Sequence, residues 1–210
     1  MCKLKSAIIL KDRIFIPEYD SHSDMLNELG IADDYLGASK KFVRAELSPI
    51  NNDVFSPVDT WKFTVDQDIV PEWFSVDEYK PKMVEAVKKW AETHIHIGID
   101  GLKIESGKNH YIKDCKNVVI KNSTVEAWDN STVKAWGNST VKALGNSTVE
   151  AWGNSTVVND DWWTWHNQDK LILTDNATFK DKIGKVIYQS GAYKLISVES
   201  GKTIGEAKNV

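Results

Sequence analysis

A chain of 210 residues with 41% hydrophobic content can bury a core, and its two cysteines, Cys2 and Cys115, cannot build a disulfide framework. No stretch approaches the ~20 apolar residues of a membrane span. The apolar run 7–10 is too short for a signal peptide, so a cytoplasmic protein is expected. The net charge of −4 is uneven, with 12 Lys and Arg against 18 Asp and Glu in residues 1–100.

Residues 1–100 read as a mixed α/β head. Segments 4–10 and 13–17 are short strands around a tight turn at Lys11 and Asp12. Ser23 and Asp24 can cap a helix carrying Met25, Leu26 and Leu29, stopped by Gly30. Segments 42–47 and 60–65 alternate apolar with polar, as half-buried strands do. Between residues 53 and 78 seven carboxylates (Asp53, Asp59, Asp66, Asp68, Glu72, Asp77 and Glu78) stand against Lys62 alone. Such a run usually faces water, and it also suits a basic partner; Asp66, Asp68 and Glu72 are its candidate binding residues. Pro71 and Pro81 punctuate the next stretch. Residues 82–93 form an amphipathic helix with Met83, Val84, Val87, Trp90 and Ala91 on one face, and 94–99 return to strand-like alternation.

Residues 101–121 form a transition into an array of octads beginning at Asn122, Asn130, Asn138, Asn146 and Asn154. Each reads Asn-Ser-Thr-Val, then Glu or Lys, Ala, Trp or Leu, and Gly or Asp; the fifth decays after Val157. An insertion with Trp162, Trp163 and Trp165 separates it from an echo at residues 176–179, and 181–210 are expected to cap the end. An even period keeps strand parity, whereas on a helix eight residues would drift about 80° per repeat. Val and Thr favour strands; Gly-Asn and Asp-Asn favour turns. Residues 122–180 are therefore expected to form a small parallel β-solenoid, so that the fold class is an α+β N-terminal domain followed by octapeptide-repeat coils.

Parity puts Ser123, Val125 and Ala127 on one side and Thr124, Glu126 and Trp128 on the other. The charges require the second side to face water. A thin core of Ser, Val and Ala suits two closely spaced sheets, with two octads in a 16-residue coil. Glu126 then neighbours Lys142, and Lys134 neighbours Glu150; a three-sided coil, the alternative, would set Glu126 beside Glu150.

The octads resemble those of a group of phage and gut-bacterial proteins whose arrays read Asn-Ser-Thr-Val or Gly-Ser-Ala-Thr-Val. The resemblance extends to Met1-Cys2-Lys3-Leu4-Lys5-Ser6, to Phe55-Ser56-Pro57-Val58-Asp59-Thr60-Trp61 and to Tyr111-Ile112-Lys113-Asp114-Cys115-Lys116-Asn117. It implies phage or prophage origin. It brings no activity and no catalytic residue, and since small phage proteins without enzyme motifs are often inhibitors of host systems, it suggests inhibition of a host defence.

Residue chemistry favours binding over turnover. Asp20, His22 and Asp24 offer ligands at alternate positions, and His94, His96 and Asp100 offer another set, but neither spacing matches a metalloenzyme motif. Helix capping and the polar face of a strand account for them, so neither a metal nor another cofactor is expected. A phosphate loop, a nucleophile elbow and a supported Cys-His pair are all missing from the sequence, and a non-enzymatic protein is expected. Lys alternates with Glu along the array, which argues against direct nucleic-acid binding. The candidate binding residues are the outward Trp128, Trp136 and Trp152, with Leu144 in the same register, and Trp162, Trp163 and Trp165 of the insertion. Aromatic faces of this kind anchor protein partners, stack on sugars or pack on a second copy of the chain. A host protein is the expected partner, homo-oligomerisation through the solenoid face a further option, and a carbohydrate-binding module the alternative.

Overall fold

The computed structural model describes residues 5–159, 171–181, 187–189, 194–196 and 203–206. The chain divides between His94 and Ile95 into two compact units.

In the first unit, β1 (Lys5–Leu10), β2 (Ile14–Phe15), β3 (Phe42–Ser48) and β4 (Lys62–Val65) form an antiparallel sheet in the order β2-β1-β3-β4. Helix α1 (His22–Glu28) starts at Ser21, whose Oγ accepts from the Asp24 amide at 3.3 Å. It buries Met25 and Leu26 against Ile8 and Phe42 of the sheet. Helix α2 (Tyr35–Lys40) has no amphipathic stripe to announce it; Asp34 caps it by accepting from the Gly37 amide at 2.7 Å. Helix α3 (Val76–His94) begins six residues before the segment expected from periodicity and contains Pro81. The missing N–H falls early in the helix, and the buried stripe Tyr79, Met83, Val87 and Trp90 runs through it. Tyr79 also donates its hydroxyl proton to the Lys11 carbonyl at 3.0 Å. Among the described residues no helix is long and apolar enough to cross a membrane.

The second unit is a β-solenoid of about four coils over residues 95–158. Its strands are β5 (Ile95–Ile97), β6 (Lys103–Ile104), β7 (Gly107–Lys113), β8 (Val118–Lys121), β9 (Ser123–Trp128), β10 (Thr132–Trp136), β11 (Thr140–Ala143), β12 (Thr148–Ala151) and β13 (Thr156–Asn159). After them come β14 (Leu171–Leu173), β15 (Thr178–Asp181) and β16 (Ile187–Gln189). Odd strands β5 to β15 form one parallel sheet and even strands β6 to β14 the other; β16 closes the first sheet by running antiparallel to β15. Thr124 pairs with Thr140 and Thr140 with Thr156, while Thr132 pairs with Thr148. Successive octads thus alternate between two sheets, which establishes the two-strand, 16-residue coil over the three-sided one. Thr156 pairs next with Thr178, so the coil containing the insertion is longer.

The ladder begins before the first octad. Residues 101–121, expected from the sequence to be a transition, supply β6, β7 and β8, already paired in parallel with their neighbours. Ile104, Ile112 and Ile120 fill the core there where the octads have Ala, with Val118 at a Val position, so the coil continues without its sequence signature.

Each octad residue has a distinct physical task. Val and Ala at 125, 127, 133, 135, 141, 143, 149 and 151 are buried. The Ser hydroxyls at 131, 139, 147 and 155 donate back to the carbonyl three residues earlier at 2.6–2.7 Å, which satisfies them inside the coil. Asparagines stack along one corner: Asn154 Nδ2 donates to Asn138 Oδ1 at 3.3 Å, and Asn176 Nδ2 to Asn154 Oδ1 at 3.2 Å. The Asn-Ser-Thr triplets thus serve turn chemistry. The last octad position is left-handed throughout, with φ of 54°, 67°, 61° and 66° at Asp129, Gly137, Gly145 and Gly153. At Gly153 a side chain would also stand 3.2 Å from the backbone of Gly137 in the coil below, so Gly answers both demands there.

Candidate functional sites

On the even-strand side, Trp136 and Trp152 each stand one residue beyond the Ala135–Ala151 pair of β10 and β12. Their ring centroids lie 4.3 Å apart with planes 7° from parallel, and Trp136 is 43% exposed. Lys134 and Glu150 pair beside them at 3.5 Å. Trp128 lies on the other sheet, paired with Lys113, and is half-buried. Leu144, expected outward in the same register, is buried instead, 8% exposed. The expected aromatic ladder is therefore a stacked pair on one sheet and a separate Trp on the other. Trp162, Trp163 and Trp165 lie outside the described residues.

In the first unit, Asp66 and Asp68 line a cleft of about 640 Å³ with Asp33, Asp34, Tyr35 and Arg44. Arg44 pairs with Asp33, and Tyr35 is 73% exposed. Glu72 is exposed but does not line this cleft, and Glu78 is taken up by an ion pair with Lys82 at 2.7 Å. That pairing is also what raises the Lys82 pKa, since the carboxylate favours the charged amine.

The two sets of metal-ligand candidates visible in the sequence are dispersed in the fold. Asp20 accepts from the Ser6 amide at 3.1 Å and pairs with the buried Lys5 at 3.2 Å. Asp24 sits in the first turn of α1. His94 bonds Glu18 at 2.9 Å, His96 stacks on His110, and Asp100 accepts from Asn117. Only His22 joins a new cluster: it, Glu46 and Asp66 each place one ligand-capable atom within 4.8 Å of the others. Local spacing does not reveal this set because its members come from α1, from β3 and from just beyond β4. The sequence places Glu46 among the polar positions of the alternating strand β3, beside Arg44 and Ser48, so nothing local marks it as a ligand. No family model matches the chain, and neither a curated protein nor a solved structure matches it.

Proposed function

We propose that this chain is a non-enzymatic interaction protein, of phage or prophage origin, that binds a host protein through exposed surfaces on a rigid solenoid and an acidic head, and so inhibits a host defence system. Phage origin and inhibition rest on the resemblance of the octads. Binding rests on the Trp136–Trp152 pair. Two large apolar rings held on a hydrogen-bonded sheet lose little conformational freedom when a partner covers them. Their mutual stacking also favours protein over sugar: the facing sides of the two rings cover each other, whereas a pyranose needs an open aromatic face. The acidic cleft of Asp66 and Asp68 offers a second surface, matched to a basic partner.

Capture from a bacterial lysate, run beside a glycan array, tests the reading. The Trp136→Thr/Trp152→Thr variant, or the Asp66→Asn/Asp68→Asn/Glu72→Gln variant, should stay folded and lose a specific host protein. Unchanged capture by both, or glycan binding that the Trp variant abolishes, would overturn it.

A further inference from the structure

We propose a divalent transition-metal site in the first unit, formed by His22 Nδ1 and the carboxylates of Asp66 and Glu46. The orientation of His22 carries the argument. Its Nε2 lies 3.3 Å from the Ala45 carbonyl, which can only accept, so Nε2 bears a proton. Its Nδ1 points to Asp66 Oδ2, also at 3.3 Å. In a neutral ring Nδ1 is a lone pair, and it would face another acceptor. A cation between them resolves that conflict, and a ring nitrogen anchored on a backbone carbonyl is the usual support for a metal-bound histidine. The 3.3 Å between His22 and Asp66 fits, since ligand atoms about 2.0–2.2 Å from a zinc ion stand roughly 3.4 Å apart in a tetrahedron, and Glu46, within 4.8 Å of both, would have to close in on the ion.

The surroundings of Glu46 supply a second observation. Glu46 is only 6% exposed. Its cross-strand neighbours in register are Ser6 on β1 and Thr64 on β4, and Ser48 follows it two residues along the same face of β3. Among the described residues the hydroxyls of Ser6, Thr64 and Ser48 are buried without a hydrogen-bond partner, and Ser6 is fully buried. Buried hydroxyls ordinarily have partners. Three such groups around one carboxylate, on a sheet face that elsewhere packs Ile8 and Phe42, mark a polar pocket built for a ligand. A metal ion with its bound water would give these three hydroxyls a partner. One imidazole with two carboxylates suits zinc or manganese better than calcium, which prefers six or more oxygens. Asp66 also lines the acidic cleft, so the ion would sit where the cleft meets the sheet.

The alternative is an imidazolium bridging the Ala45 carbonyl and the Asp66 carboxylate, and metal titration separates the two. The full chain, stripped with a chelator, should bind one Zn²⁺ saturably by calorimetry and melt several degrees higher with it. Co²⁺ in its place should give visible d–d bands of a nitrogen–oxygen site. Asp66→Asn keeps the shape of a half-exposed side chain; it should fold normally and lose at least about tenfold in Zn²⁺ affinity. His22→Gln should do the same, and His96→Gln in the second unit should change nothing. Absence of saturable Zn²⁺ or Co²⁺ binding by the stripped protein would overturn the proposal. So would Zn²⁺ affinity left unchanged by Asp66→Asn, which decides the matter even if His22→Gln fails to fold.

Discussion

Trp136 and Trp152, sixteen residues apart in sequence, stack at 4.3 Å and 7° because the coil returns the chain to the same register after each pair of octads. Two indoles so close and so nearly parallel couple electronically. The far-ultraviolet circular dichroism spectrum should carry an exciton couplet from this pair. Trp136→Thr and Trp152→Thr should each remove the couplet, and Trp128→Thr, on the opposite sheet, should leave it. A couplet that survives both of the first two changes would mean that the pair does not stack.

The core admits a sharper test of inside and outside. Val141 is fully buried on β11, and its neighbour Lys142 faces Glu126 across the strands at 3.5 Å. Val141→Asp would place a charge in a core lined by Val and Ala with no room to hydrate it, at a cost on the order of 4 kcal/mol or more. Lys142→Gln removes an ion pair at the surface and should cost about 0–1 kcal/mol. Thermal melts should therefore show the array unfolded in the first variant and close to wild type in the second. The reverse order would overturn the assignment of faces.

What could be read from the sequence follows from how each feature is encoded. The solenoid was legible because the first four octads restate the same tasks: Val and Ala for the core, Glu or Lys for the Glu126–Lys142 and Lys134–Glu150 pairs, and Gly or Asp for a left-handed corner. Its start was not legible, because Ile104, Ile112 and Ile120 fill the core without the motif. Helix α2 was missed because a six-residue helix held by the Asp34 cap needs no periodic stripe. The His22, Glu46 and Asp66 cluster depends on strand register between distant segments, which local spacing does not express.

In the head, alkaline titration probes the segment that leads into α1. The Tyr19 hydroxyl donates to the Glu28 carboxylate near the end of that helix. This bond, reinforced by burial and by the negative charges of Glu28 and Asp24, lifts the Tyr19 pKa from 10.0 to about 12. The phenol donates only while protonated. With its folded pKa above its unfolded value, the group contributes stability in full below about pH 10 and loses it as the pH climbs toward 12. Phenolate absorbance should therefore show one tyrosine of wild type still protonated at pH 11. Glu28→Gln removes the charged acceptor and its field, so this tyrosine should then ionise at a lower pH than in wild type, with little change in the melt at neutral pH because the contact is at the surface. Identical titration curves for the two proteins would show that the phenol does not rest on Glu28, and the loop carrying Asp20 and Ser21 would then be held by other contacts such as the Lys5–Asp20 pair, the Ser6 amide on Asp20 and the Ser21 cap.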